Sequence, residues 1–260
     1  MTVATIENRY GSLASRVYHL DKPIGRSFGD IEFYRERLGN CREPVLEPAA
    51  GNGRVLIPLL ESGLNMFGFD ASPEMVAFCE EECTRRGFPT PVDIQTFEAF
   101  SYEHRFEAII LPAGSFQLIV DPAIALRVLD RFREALLPGG RLIIDLDLLS
   151  CLADAPGRAR HWHDGQDILT LQEGSVERNF MRQTMLSQLR YELWREGKLV
   201  STEMELFHLR LWGLTEFELA LRIVGFSSIA IFGDYGRVAR PEEAGQTITF
   251  EARVGGELRK

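Results

Sequence analysis

A chain of 260 residues, 45% hydrophobic and 26% charged, can bury a sizeable core as one large domain or as a domain with a cap. Its formal net charge of −9 at pH 7 makes a surface that repels a phosphate backbone, so general nucleic-acid binding is disfavoured. No apolar run reaches the ~20 residues that span a bilayer, the opening MTVATIENRY lacks a basic-then-apolar leader, and Cys41, Cys79, Cys83 and Cys151 read as scattered reduced thiols; a soluble cytoplasmic protein is expected.

Residues 1–43 carry Tyr10, Tyr18 and a helical stretch DIEFYRERL at 30–38. This segment leads into the first strand and can fold over a sheet edge as a lid. From residue 44 the pattern alternates. Strands are expected at 44–49, 65–70, 92–97, 107–114 and 141–147, with helices at 53–63, 73–86 and 122–137. Ser72-Pro73 and Asp121-Pro122 are cap and first-turn pairs. PGG at 138–140 is expected to stop the third helix. Such alternation implies a doubly wound α/β fold with a mostly parallel sheet and right-handed crossovers.

The pattern changes after Leu148. Residues 151–165 read as a loop, and 166–211 as two to four antiparallel strands with REGK as a turn. A helix at 215–226, capped by Thr215, and strands at 227–234 and 246–254 close the chain. The expected organisation is a lid at 1–43, a sheet domain from 44–150 and 212–260, and an antiparallel β cap at 151–211 inserted after the fifth strand. The whole sheet is then a seven-stranded mixed one.

The chemistry concentrates in VLEPAAGNGR at 45–54. A buried strand runs into small residues and then a helix N-terminus, where Gly51 and Gly53 allow close backbone approach to a ligand. A pyrophosphate or a carboxylate suits that positive end. Glu47 repels the first kind of ligand and attracts an ammonium. Asp70 ends the next strand, in GFDASPEM, where a carboxylate accepts from both ribose hydroxyls.

These residues resemble class I S-adenosylmethionine-dependent methyltransferases of the small-molecule type. That family's E-x-G-x-G-x-G stands here as Glu47-Pro48-Ala49-Ala50-Gly51-Asn52-Gly53, with Ala49 in place of the first glycine. GFDASPEM matches the ribose-binding segment, and LLPGGRLIIDLD at 136–147 the entry to the fifth strand. LPAGSF at 111–116 falls beside the sulfonium and acceptor, and WGLTEFELALRIVGF resembles the closing helix. The resemblance implies S-adenosylmethionine as cofactor, a Rossmann-like fold, and direct in-line transfer to N or O of a small molecule. It assigns cofactor contacts to Glu47, Ala49, Gly51, Gly53, Arg54, Asp70, Ala71, Met75, Thr96, Phe97, Pro112 and Ser115. Thr96 and Phe97 stand where the family carries an acid and an apolar residue, so the contact to the adenine amino group departs from its pattern.

No catalytic residue is identified outright. Tyr18 either packs or covers the sulfonium, whose charge an aromatic face favours. His161 and His163 flank Trp162 as base, substrate contact or plain surface. Asp145 and Asp147 share a strand face, and Asp147 is placed to bind a cationic acceptor. His208 reads as structural. Cys79 and Cys83 lack a second pair of ligands, so no metal is expected. Met185 and Trp194 read as packing or as a homodimer surface. Two other functions fit the same turn: a non-catalytic adenosylmethionine-binding module, and a nicotinamide-dependent oxidoreductase, against which Glu47 and the missing GxGxxG spacing count.

Overall fold

The computed structural model describes residues 10–154, 157–237, 239–240 and 242–255. Parts of the expected lid and of the 151–165 segment lie outside these residues.

The chain enters through α1 (Ser12–Asp21) and α2 (Asp30–Leu38). It then alternates through β1 (Val45–Pro48), α3 (Leu56–Glu61), β2 (Met66–Asp70), α4 (Pro73–Arg86), β3 (Val92–Ile94) and β4 (Phe106–Leu111). A 3-10 turn (Ser115–Leu118), α5 (Pro122–Ala135) and β5 (Leu136–Asp147) follow. After a second 3-10 turn (Leu149–Ala153) come β6 (Arg160–Asp164), β7 (Asp167–Asn179), β8 (Thr184–Arg195) and β9 (Lys198–Arg210). α6 (Leu214–Ile223), β10 (Phe226–Gly233) and β11 (Thr247–Val254) complete it.

The main sheet has seven strands in the order β10-β11-β5-β4-β1-β2-β3. Its β1–β5 neighbours pair in parallel, and β11 runs antiparallel to both β5 and β10. The order reverses at β1, between β2 and β4, so a crevice opens at the carboxyl ends of these strands. Val45, Leu46, Ile109, Ile110, Ile143 and Ile144 are fully or almost fully buried, as a sheet covered on both faces requires. The doubly wound expectation therefore holds, and the cap stands where it was expected, after β5.

Several boundaries differ for identifiable reasons. α3 starts only at Leu56 because Gly53 sits at φ +85°, outside helical space. PGG does not simply stop a helix: β5 begins at Leu136, and its residues 137–140 bulge where the register jumps from Phe106↔Leu136 to Ala108↔Arg141. Thr215 is not the cap of α6. Gly213 is, and its N–H donates to the Glu216 carboxylate at 3.2 Å.

The stretch expected as a loop contains β6, which joins β7, β8 and β9 in a four-stranded antiparallel sheet. REGK is the β8–β9 turn, with Glu196 and Gly197 at φ 48° and 72°, as a two-residue hairpin connection demands. α1, unforeseen in the sequence, packs Leu13, Ala14 and Val17 against Leu169, Leu171, Tyr191 and Leu193 of the cap.

Candidate functional site

The turn after β1 is built by backbone geometry. Ala49 lies at φ 54°, Gly51 at 58° and Gly53 at 85°. A Cβ on Gly53 would stand 2.7 Å from Cys79 Sγ, whereas one on Gly51 would meet nothing within 4 Å. Gly53 thus serves close packing on α4, and Gly51 faces open space. The Gly51 N–H donates to Asp70 Oδ2 at 2.9 Å, and the Ser72 N–H to Asp70 Oδ1 at 2.9 Å. Each oxygen keeps acceptor capacity for a hydroxyl. Burial pushes the Asp70 carboxyl up, opposed by these backbone donors.

Glu47 is 3% exposed and its Oε2 has no hydrogen-bond partner among the described residues. Burial raises it well above the usual carboxylate range, and Arg54 counteracts this in part. An orphaned buried carboxylate oxygen beside a cradle of small residues fits a cationic ligand group, because such an atom otherwise bears the full desolvation penalty.

The N-terminal segment is tied onto this turn. Asn52 Nδ2 donates to the Lys22 carbonyl at 3.1 Å and lies 3.2 Å from His19 Nδ1. Arg54, one of the expected contacts, is engaged within the chain through both terminal nitrogens. One donates to Asp30 Oδ2 at 2.6 Å and the other to the Arg26 carbonyl at 2.7 Å. The Tyr10 carbonyl accepts from Ser72 Oγ at 2.8 Å. Tyr18 meets Tyr10 edge to face at 5.6 Å, and the Lys22 ammonium lies 5.0 Å from its centroid. Tyr18 therefore already faces a cation from within the chain.

The remaining expected contacts line the same edge. Ser72 caps α4 by accepting from the Met75 N–H at 3.2 Å, which places Ala71, exposed, and Met75, buried, beside Asp70. Thr96 is exposed beyond the short β3, and Phe97 packs edge to face on Phe69 at 6.0 Å. After β4, Ser115 Oγ donates to the Pro112 carbonyl at 2.9 Å. Asp147 is half-buried and pushed up by burial, with Lys22 opposing. It lines a cleft of about 530 Å³ with Leu146, Leu148 and Trp212.

His161 and His163 are not brought to this edge. Register puts Trp162 opposite Leu169, on the face that meets α1, so the two imidazoles stand exposed on the other face. Of the readings offered for them, plain surface fits this placement.

Residues given no site role in the sequence do much of the positioning. Asp145 is fully buried and accepts from Thr249 Oγ1 at 2.7 Å, Tyr235 Oη at 2.9 Å and the Ala113 N–H at 3.2 Å. It thereby holds the turn after β4 to β5. Gln117 reaches Asp147 from the same turn: its Nε2 donates to the Asp147 carbonyl at 3.2 Å and its Oε1 accepts from the Asp147 N–H at 2.8 Å. Both residues depend on pairings distant in sequence, which no local motif encodes.

Comparison with known proteins agrees with this geometry. Residues 45–140 match the family described as a methyltransferase domain. A glycine/sarcosine N-methyltransferase of Aphanothece halophytica is 24% identical over 217 residues, 81% of this chain and 76% of that protein. The CcbJ methyltransferase of Streptomyces caelestis superposes with a TM-score of 0.74 at 18% identity, over 95% of this chain and 98% of that one. The sugar N-methyltransferase KedS8 of Streptoalloteichus sp. gives 0.72 at 19% identity, over 98% of each chain. The matched domain, the fold and the geometry of the site support a class I S-adenosylmethionine-dependent methyltransferase. No described helix is long and apolar enough to cross a membrane.

Proposed function

We propose that this enzyme methylates a nitrogen or oxygen of a small-molecule acceptor by direct in-line transfer. The observation that carries this reading is the packing of α1 between the glycine turn and the cap sheet. α1 is stitched to the turn through Asn52, and to the inserted cap sheet through Leu13, Ala14 and Val17. A helix held over the carboxyl edge suits a small ligand better than a duplex. Similarity to proteins named for glycine/sarcosine and sugar N-methylation supports the acceptor class.

S-adenosylmethionine supplies an already activated methyl group. In this reading Glu47 pairs with its ammonium, Asp70 accepts from its ribose hydroxyls, and the Tyr18 ring covers positive charge near the reacting centre. Phe97 and the backbone after β3 would bound the adenine. Pro112 and Ser115 shape the wall on the acceptor side. The chain's contribution to rate is then orientation and exclusion of water, where effective molarities reach ~10⁵ M or more.

The test is calorimetry with S-adenosylhomocysteine, followed by transfer of a labelled methyl group to pools of small amines and alcohols. Binding and labelling of a small acceptor are expected. Label appearing only in protein or nucleic acid would overturn the acceptor class.

A further inference from the structure

Besides Asp167 of β7, which pairs with Arg16 of α1, the face of the cap turned toward α1 carries two acids on β9, Glu203 and Glu205. Glu203 Oε2 accepts the Leu13 N–H at 2.8 Å, at the start of α1. Glu205 is 5% exposed, and neither of its carboxylate oxygens has a hydrogen-bond partner among the described residues. A charge so placed is strongly unfavourable unless a ligand completes it.

Its surroundings connect it to the site. Glu205 and Phe207 share a face of β9, and Phe207 meets Tyr10 at 6.5 Å. The Tyr10 carbonyl is held by Ser72, whose own N–H is held by Asp70. The Tyr10 phenol is raised by burial and then by Tyr18, Glu205, Tyr191 and Asp70, so both the cap acid and the cofactor acid act on it. β9 also packs against the 3-10 turn that follows β4, on the acceptor side.

We propose that Glu205 is the acceptor-binding carboxylate, and that the acceptor is therefore an amine. This rests on the methyltransferase reading of the β1 turn given above. The carboxylate attracts the amine and orients an N–H toward itself, leaving the nitrogen lone pair directed at the methyl group. The nitrogen lone pair forms the new N–C bond as the C–S bond breaks, and the electron pair of the C–S bond passes to sulfur, leaving a neutral thioether. The methylated ammonium then gives its extra proton to the Glu205 carboxylate, which becomes a neutral acid until solvent removes the proton.

Burial first, and Glu203 second, push Glu205 up to about 7, against Tyr191. A base at that value is matched to proton transfer near neutrality. The groups facing it are Glu203 on its own strand, Tyr191 on β8 and Tyr10 ahead of α1.

The experiment uses the full chain and Glu205→Gln, with Glu205→Asp as a second variant. Calorimetry with S-adenosylhomocysteine is run first, then labelled-methyl transfer to pooled small amines and, separately, pooled alcohols and phenols. Amines are expected to take the label. For the amine found, Glu205→Gln should lower kcat/KM by about 100-fold or more and remove the acidic limb of the pH profile. S-adenosylhomocysteine affinity and thermal midpoint should not fall, and Glu205→Asp should recover part of the rate. Label confined to hydroxyl acceptors, no labelled amine, or full activity in Glu205→Gln would overturn the proposal while leaving the cofactor site standing. Failure of the wild-type chain to bind S-adenosylhomocysteine would instead remove the reading on which it rests, and the proposal with it.

Discussion

The Gly51 N–H and Asp70 Oδ2 are 2.9 Å apart, so the glycine turn after β1 and the acid ending β2 form one hydrogen-bonded unit. Asp70 is thus a brace of the turn as well as the proposed ribose ligand. Asp70→Ala should weaken S-adenosylhomocysteine binding by about 1.5–3 kcal/mol, as for bonds to a charged group, and should also lower stability by about 1–3 kcal/mol by freeing two N–H groups. Calorimetry and denaturant unfolding check the two losses separately. Loss of affinity at full stability would show that the brace is dispensable.

Two of the three left-handed positions of the same turn should respond in opposite ways. Ala49 at φ 54° bears a steric strain that glycine lacks, so Ala49→Gly should leave stability unchanged or raise it by up to about 1 kcal/mol. Gly53→Ala adds a methyl 2.7 Å from Cys79 Sγ and 2.9 Å from Ile57 Cδ1 at φ +85°. It should destabilise by about 1–3 kcal/mol. Urea midpoints of the pair give the comparison.

The Arg54–Asp30 pair, at 2.6 Å with side chains 4% and 1% exposed, ties the N-terminal segment to the glycine turn. Asp30→Ala leaves a buried guanidinium uncompensated, which should cost about 3–5 kcal/mol. Arg54 keeps its bond to the Arg26 carbonyl, so the main sheet should survive. Protection of the amides in α1 and α2 from hydrogen exchange should drop more than that of β4 and β5.

Burial holds Asp145 up at about 6, despite Thr249, Tyr235 and the Ala113 N–H, which pull it down. The unfolded chain loses this proton near pH 4, its ordinary value. Between pH 4 and 6 the folded state therefore binds more protons than the unfolded one, and stability falls as pH rises. The contribution is present below the unfolded value and is lost as pH passes the folded one. It is on the order of 3 kcal/mol. Unfolding free energies measured from pH 4 to 7 should decline in wild type and decline less in Asp145→Asn.

The local grammar of the cofactor turn was legible because strand, small residues and helix follow each other without interruption. Glu47, Gly51, Gly53 and Asp70 sit where that pattern put them, and Ser72 and Asp121 cap their helices as their prolines announced. The parallel sheet followed from the alternation of elements, since crossovers require it. Three-dimensional packing decided the rest. Which face of β6 turns inward depends on its register with β7, and that register carried His161 and His163 outward and Trp162 inward. Arg54 belongs to Asp30, and Asp145 to Thr249 and Tyr235, through contacts between segments far apart in the chain. Glu205 looked like one more charge in an alternating strand. Only the docking of the cap on α1 buried it with no hydrogen-bond partner for its carboxylate oxygens among the described residues, because desolvation is set by what folds over a residue and not by its neighbours in sequence.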